Sequence, residues 1–256
     1  MQRCAGAWPH TLRRYDGCMA MSEWWTYRPS DFLLFSARTY HRLFELYNAD
    51  VWPAHLLVIG LGLALCAALW QERAWAPRAT CALLAVAWLW VAWAFHWQRF
   101  ASINWAASWF AAAFAIEGVL LLGWAVFDAN AQVAGRPGGR ARKVGLFLWL
   151  FALAVQPVIG TLLGRPWQQA EVLGLAPDPT VLGTLGVLLL VRPGNRTGAA
   201  APRRLAIAWW LLCPIPLLWC AITGMTLATM ASAEALLLPG AALLATAVAA
   251  RGNQPH

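Results

Sequence analysis

A chain of 256 residues that is 61% apolar and 12% charged, with 18 Trp and a mean hydropathy of +0.54, lacks the polar surface that a water-soluble domain of this length requires. Its 19 Lys and Arg outnumber 11 Asp and Glu, but the arginines fall between long apolar runs, where they act as topology signals and headgroup contacts. These features exclude nucleic acid as a partner and imply a lipid bilayer as the solvent.

Residues 1–20 contain no apolar core of signal-peptide length and are expected to be an upstream extension without a structural role, with Met21 as the start of the folded protein. From Met21 the character changes to MSEWWTYRPSDFLLFSARTYHRLFELYNADVW. Here Tyr40, Leu43, Phe44 and Tyr47 fall on one helical face, with Arg38, His41, Arg42 and Glu45 on the other. The pattern predicts an interfacial amphipathic helix within residues 21–50, feeding the first span; a helix packed on other protein would show the same spacing.

Residues 51–250 are expected to form one all-α transmembrane domain. Six stretches approach or reach the roughly 20 apolar residues that cross a hydrocarbon core: Val51–Trp70, Ala79–Trp97, Asn104–Phe127, Val144–Gly164, Leu205–Leu227 and Ala235–Ala250. Val181–Val191 is a seventh, too short by itself. Prolines crowd the second half. Gln156-Pro157 interrupts the fourth span, Pro214 and Pro216 kink the sixth, and Pro239 opens the seventh. EVLGLAPDPTVLGTLGVLLLV reads as a short fifth element, discontinuous or re-entrant: a half-helix, a break at Ala176–Thr180, then a second half-helix. Gly160 and Gly164 form a GxxxG, read as close helix packing. With seven spans, eleven Arg and Lys fall on one side and eight on the other, and the eight become five if the chain starts at Met21. The amino terminus is therefore expected outside, and the tail 251–256 in the cytoplasm.

Three phrases, MSEWWTYRPSDFLLFS, YHRLFELYNADVWPA and VAWAFHWQRFASINWAA, resemble the opening of the bacterial integral-membrane family catalogued as domain of unknown function 6064. LGLAPDPTVLGTLGVLLL and CPIPLLWCAITG resemble its proline-containing segment and its proline-kinked helix. The resemblance implies a polytopic protein of the bacterial cytoplasmic (inner) membrane and supplies no chemistry. It also implies a Cys-Pro-Thr where this chain has Asp178-Pro179-Thr180, so any role of that cysteine does not transfer.

Candidate sites follow from polar residues at membrane depth, which cost about 2.5–3.5 kcal/mol each and so face protein or water. Glu117, in FAAAFAIEGVLLL, shares a helix face with Ala106, Phe110 and Ala113; with Gln156 and Asp178 it forms a candidate intramembrane polar site for a proton or cation. As structural alternatives, Glu117 would be a neutral carboxyl bonded to a neighbouring helix, and Asp178 would cap the fifth helix. His96, Arg99, Asn104 and Trp105, in HWQRFASINW, are either a hairpin turn in the headgroup region or a small interfacial pocket for an anionic ligand. Antiparallel spans would bring His55 and His96 to one depth, where they would suit a haem with Arg99 for a propionate. No motif calls for a cofactor. The six cysteines, at 4, 18, 66, 81, 213 and 220, have no zinc or disulfide spacing and read as packing residues.

Three functions fit these residues: a small-solute or ion permease, an accessory or anchoring subunit bound to another membrane protein, and a membrane haem protein or enzyme. The permease reading places Glu117 and Asp178 on one wet cavity, whereas the subunit reading leaves them dry and far apart.

Overall fold

The computed structural model describes residues 35–127, 131–133, 139–192 and 210–252. The extension 1–20, the aromatic stretch 21–34, most of the two arginine-rich loops, the start of the sixth predicted span and residues 253–256 lie outside that set. The protein is mostly helical, at 81%, and among the described residues four helices are long and apolar enough to cross a membrane.

Helix α1 (Ala37–Val51) starts at Ser36, whose hydroxyl accepts from the Thr39 N–H at 3.2 Å. Its buried face is Tyr40, Leu43, Phe44 and Tyr47, the face that the spacing predicts. That face packs on the protein's own rings, Phe95 and Phe100, so it is not free for lipid. At Trp52-Pro53 the chain bends by 87° into α2 (Ala54–Trp70), and the bent pair counts as a fifth candidate span if taken as one.

A short turn leads into α3 (Ala76–Trp90), which continues through a wide π-turn (Val91–Trp97) and a 3-10 turn (Phe100–Ser102) to make a rod of 27 residues. Helix α4 (Ala107–Phe127) returns beside it. α5 (Arg140–Leu150), a second π-turn (Phe151–Val155) and α6 (Gln156–Leu162) form the next rod, of 23 residues. Pro157 has no N–H for an α-helical bond and its ring crowds the preceding turn, and the widened turn absorbs both effects. At the far end of this rod, Arg142 donates to the Trp70 carbonyl at 2.7 Å and pairs with Glu72.

The predicted short fifth element is α7 (Pro177–Leu190), whose 14 residues extend about 21 Å, less than a hydrocarbon core. Every residue from Pro177 to Val187 is buried, so α7 is the centre of the bundle. Its first half-helix does not form. Val172–Ala176 is instead a buried turn in which the Leu175 and Ala176 N–H groups bond to the Val172 carbonyl and the Gly174 N–H donates to the Thr180 hydroxyl. Irregular backbone of this kind persists only where protein satisfies it. β1 (Gln132–Val133) and β2 (Val191–Arg192) pair antiparallel and tie the α4–α5 connection to the end of α7. α8 (Pro214–Thr229) begins at Pro214, so Pro214 and Pro216 occupy its first turn rather than kink its middle. A 3-10 turn (Ala233–Leu236) leads into α9 (Leu237–Gly252).

The bundle thus has an α1 end and a β-hairpin end. Exposed tryptophans mark both: Trp52, Trp97, Trp105, Trp109 and Trp167 at the first, and Trp70, Trp75 and Trp210 at the second. Helices α5 and α7 cross at paired glycines. A Cβ on Gly186 would lie 2.7 Å from the Gly145 carbonyl oxygen and 3.0 Å from the Trp149 nitrogen, backbone atoms that cannot yield. Gly186→Ala is expected to cost about 1–3 kcal/mol of stability in detergent-solubilised protein. Gly60→Ala, where nothing lies within 4 Å, is the control.

Candidate functional site

The site begins with the polar stripe of α1. His41, Glu45 and Asn48 stand at i, i+4 and i+7 and grip the loop between α6 and α7. The Asn48 amide donates to the carbonyls of Gln168 (2.7 Å) and Ala170 (2.8 Å), and Gln169 Nε2 donates to Glu45 Oε2 at 3.4 Å. Arg165 Nη1 donates to His41 Nδ1 at 2.9 Å. A guanidinium has no acceptor, so this contact requires a neutral imidazole. Burial first, and then the Arg165 charge, bring His41 down to about 4.

Arg165 is the centre of the cluster. Its guanidinium lies against Gly160, where a Cβ would come within 2.8 Å of Nη2. Gly160 therefore cradles a side chain of its own loop rather than a second helix, and Gly164 forms the following turn at φ +87°. Arg165 pairs with Glu234 and lies 4.0 Å from Glu171 Oε1. All three side chains are largely buried, at 17%, 13% and 11% exposed for Arg165, Glu234 and Glu171. Asp178, in the first turn of α7, is 3% exposed and accepts from Trp219 Nε1 at 2.8 Å and from the Thr223 hydroxyl at 2.9 Å. Gln156 and the three acids border one cavity of about 20 Å³, room for a single water. Gln156 Oε1 and Glu171 Oε2 are buried without a hydrogen-bond partner among the described residues.

Three carboxylates and one guanidinium thus border one cavity, with Arg165 against Glu234 and Glu171. Burial first, and then the charge of Asp178, push Glu171 well above the usual carboxylate range, with Arg165 opposing them. Among the described residues no group of three or more His, Cys, Asp and Glu has the geometry to hold a metal ion.

Of the residues predicted for an intramembrane site, Gln156 and Asp178 share this cavity and Glu117 does not line it. Glu117 is 0% exposed and neither of its oxygens has a hydrogen-bond partner among the described residues. The HWQRFASINW patch divides. Arg99 turns to α1, bonding Asp50 (2.8 Å) and the Ala94 carbonyl (2.9 Å) and lying 4.8 Å from the Tyr47 ring centre. Asn104 accepts from the Ala106 N–H at 3.0 Å, and Trp105 is 71% exposed. His96 points inward and is 0% exposed, with neither ring nitrogen hydrogen-bonded among the described residues. Its ring sits among those of Phe95, Phe100, Phe110, Phe114 and Trp219, at centroid distances from 4.5 to 6.0 Å. His55 contacts Asn48 and Trp52, so the two histidines share none of these neighbours.

His41, Arg165, Glu171, Trp219, Thr223 and Glu234 were not expected in a site. One signal for them exists in the sequence: Arg165, Glu171, Asp178 and Glu234 all fall at helix ends or connections on the same side of an alternating topology.

The family of unknown function DUF6064 matches residues 37–254, which include every member of the cluster. The chain belongs to DUF6064. No curated protein and no solved structure matches it. The DUF6064 match runs from the first turn of α1 past the end of α9, so the clamp helix and the bundle fall within one family unit.

Proposed function

We propose that this DUF6064 protein is a multi-pass protein of the bacterial cytoplasmic membrane that acts as an ion permease, with the proton as its ion and the Arg165–Glu171–Asp178–Glu234 cluster as its binding site. The supporting observation is the charge imbalance: three nearly buried carboxylates and one guanidinium line a space for one water. Uncompensated buried charge costs several kcal/mol, and a carboxyl avoids that cost by keeping its proton. In this reading α1 lies along the outer membrane surface as a cover over the site. The same reading has the β-hairpin end and the carboxy terminus facing the cytoplasm, which Arg73, Arg78, Arg140, Arg142 and Lys143 support through the positive-inside bias.

Liposomes loaded with a pH-sensitive dye and driven by a potassium diffusion potential test the proposal. The wild type is expected to acidify or alkalinise the lumen according to the sign of the potential. Asp178→Asn and Glu171→Gln are expected to lower the rate about a hundredfold, the usual worth of a positioned proton-transferring group. Wild-type liposomes that behave like empty ones would refute it. That result would favour the second reading, an accessory subunit bound to another membrane protein. One observation supports that alternative: among the described residues, only 17% of the apolar stretch within Ala233–Arg251 is buried. The haem reading draws no support from His55 and His96, whose neighbours differ.

A further inference from the structure

Where α1 bends into α2, the two helices and the α6–α7 loop enclose a second cavity, of about 520 Å³, a volume usual for small-ligand pockets. It borders the acid cavity at Pro157 and Ala170, but among the described residues none of the four charged members of the cluster lines it. Leu56, Ile59, Pro157 and Val172 make its apolar wall. Its polar side is Glu45, Asn48 and His55, with Gln168 at the surface. Trp52 and Trp167, both more than half exposed, complete the lining.

The hydrogen bonds fix what this polar side lacks. Both N–H groups of the Asn48 amide are spent on the Gln168 and Ala170 carbonyls, so Asn48 Oδ1 accepts from His55 Nε2 at 3.2 Å. The other ring nitrogen, His55 Nδ1, is buried with no hydrogen-bond partner among the described residues. A proton there would be an unpaired buried charge, so the ring is neutral and Nδ1 presents a lone pair. Glu45 Oε1 pairs with Arg42, an exposed side chain, whereas Oε2 has one long contact, from Gln169 at 3.4 Å. A carboxylate oxygen and an imidazole lone pair therefore both call for a hydrogen-bond donor.

We infer that this cavity binds a phospholipid with a primary ammonium headgroup, the ammonium donating to Glu45 and an acyl chain lying along Leu56, Ile59, Pro157 and Val172. Charge selects the head: among the described lining residues Glu45 carries the one charge, and no Arg or Lys is present to attract a purely anionic lipid. The faces of Trp52 and Trp167 add cation–π attraction for an ammonium. A methylated choline head has the same charge but no N–H for Glu45 or His55 Nδ1. The phosphate that follows the ammonium can meet Arg42, exposed beside Glu45. Exposed tryptophans mark this end of the bundle as headgroup depth, where such a lipid is at hand. The site rests on the membrane placement proposed above and not on the proton chemistry of the acid cavity.

Native mass spectrometry of the full chain, released from micelles holding equal amounts of phosphatidylethanolamine, phosphatidylcholine and phosphatidylglycerol, reads the site directly. The wild type is expected to retain one phosphatidylethanolamine about tenfold over either other lipid, the worth of one hydrogen bond between charged groups. Glu45→Gln, which keeps the shape of the wall, is expected to level the three. Trp167→Leu, which keeps an apolar body without the π-face, is expected to lower retention of phosphatidylethanolamine about threefold. Phosphatidylcholine or phosphatidylglycerol retained as well as phosphatidylethanolamine by the wild type overturns the site, as does a preference that survives Glu45→Gln. Should Glu45→Gln fail to fold, unchanged retention in Trp167→Leu overturns it equally. A chain that stays monomeric in buffer without detergent removes the membrane placement, and the site with it.

Discussion

Arg165→Met is expected to destabilise the folded protein by about 3–5 kcal/mol, the largest effect of any single substitution in the cluster. Methionine fills the volume against Gly160 but leaves Glu171 and Glu234 without the cation they share and removes the donor to His41 Nδ1. The loss is that of a buried charge deprived of its partner, not of a surface ion pair worth a fraction of this. Two controls separate charge from shape. Glu234→Gln added to Arg165→Met should recover part of the deficit, because it removes one uncompensated carboxylate. Arg165→Lys should recover less than a full ion pair, since a single ammonium does not reproduce a fork that spans His41 and Glu234. Unfolding in detergent micelles, followed by the signal of the many tryptophans, reads all three.

Stability should depend on pH through two groups of opposite sign. His41 is lowered from its ordinary 6.5 to about 4, so the folded state binds fewer protons than the unfolded chain between those values. Its contribution is present above 6.5 and lost as pH falls towards 4. Glu171 is raised above its ordinary 4.5, so the folded state binds more protons there. Its contribution is complete below 4.5 and lost as pH rises through the raised value. Every tenfold gain in proton affinity conferred by folding is worth about 1.4 kcal/mol. Melting curves in detergent should therefore show His41→Asn flattening the acid limb and Glu171→Gln flattening the alkaline limb. If Glu171→Gln instead left the protein less stable at every pH by the same amount, the carboxyl would be serving as a fixed hydrogen-bonding group rather than a titrating one.

Much of the architecture was readable because apolar spacing and proline chemistry act locally. Tyr40, Leu43, Phe44 and Tyr47 form the buried face of α1, the turn around Gln98–Asn104 joins two long helices, and the short fifth helix is present. What covers the α1 face was not readable, since a stripe of large apolar residues has the same spacing against lipid as against Phe95 and Phe100. The site escaped for a different reason. Glu171 and Glu234 lie in connections, where periodicity carries no information, and Arg165 meets Glu234 across 69 residues of sequence. Counting arginines to orient the chain treated Arg165 as a topology signal and gave the acids around it no weight. His96 was read with Arg99 because they are one turn apart. The widened turn between Val91 and Trp97 ends there, and beyond it Arg99 faces α1 while His96 enters the core.

The buried cluster is proposed to hold a proton because three carboxylates border one cavity with a single guanidinium. Infrared difference spectra between wild type and Glu171→Gln at neutral pH measure this most directly. The account predicts a protonated carboxyl C=O band in the wild type that disappears in the variant. A wild type showing only ionised carboxylate bands from these residues at neutral pH would contradict it.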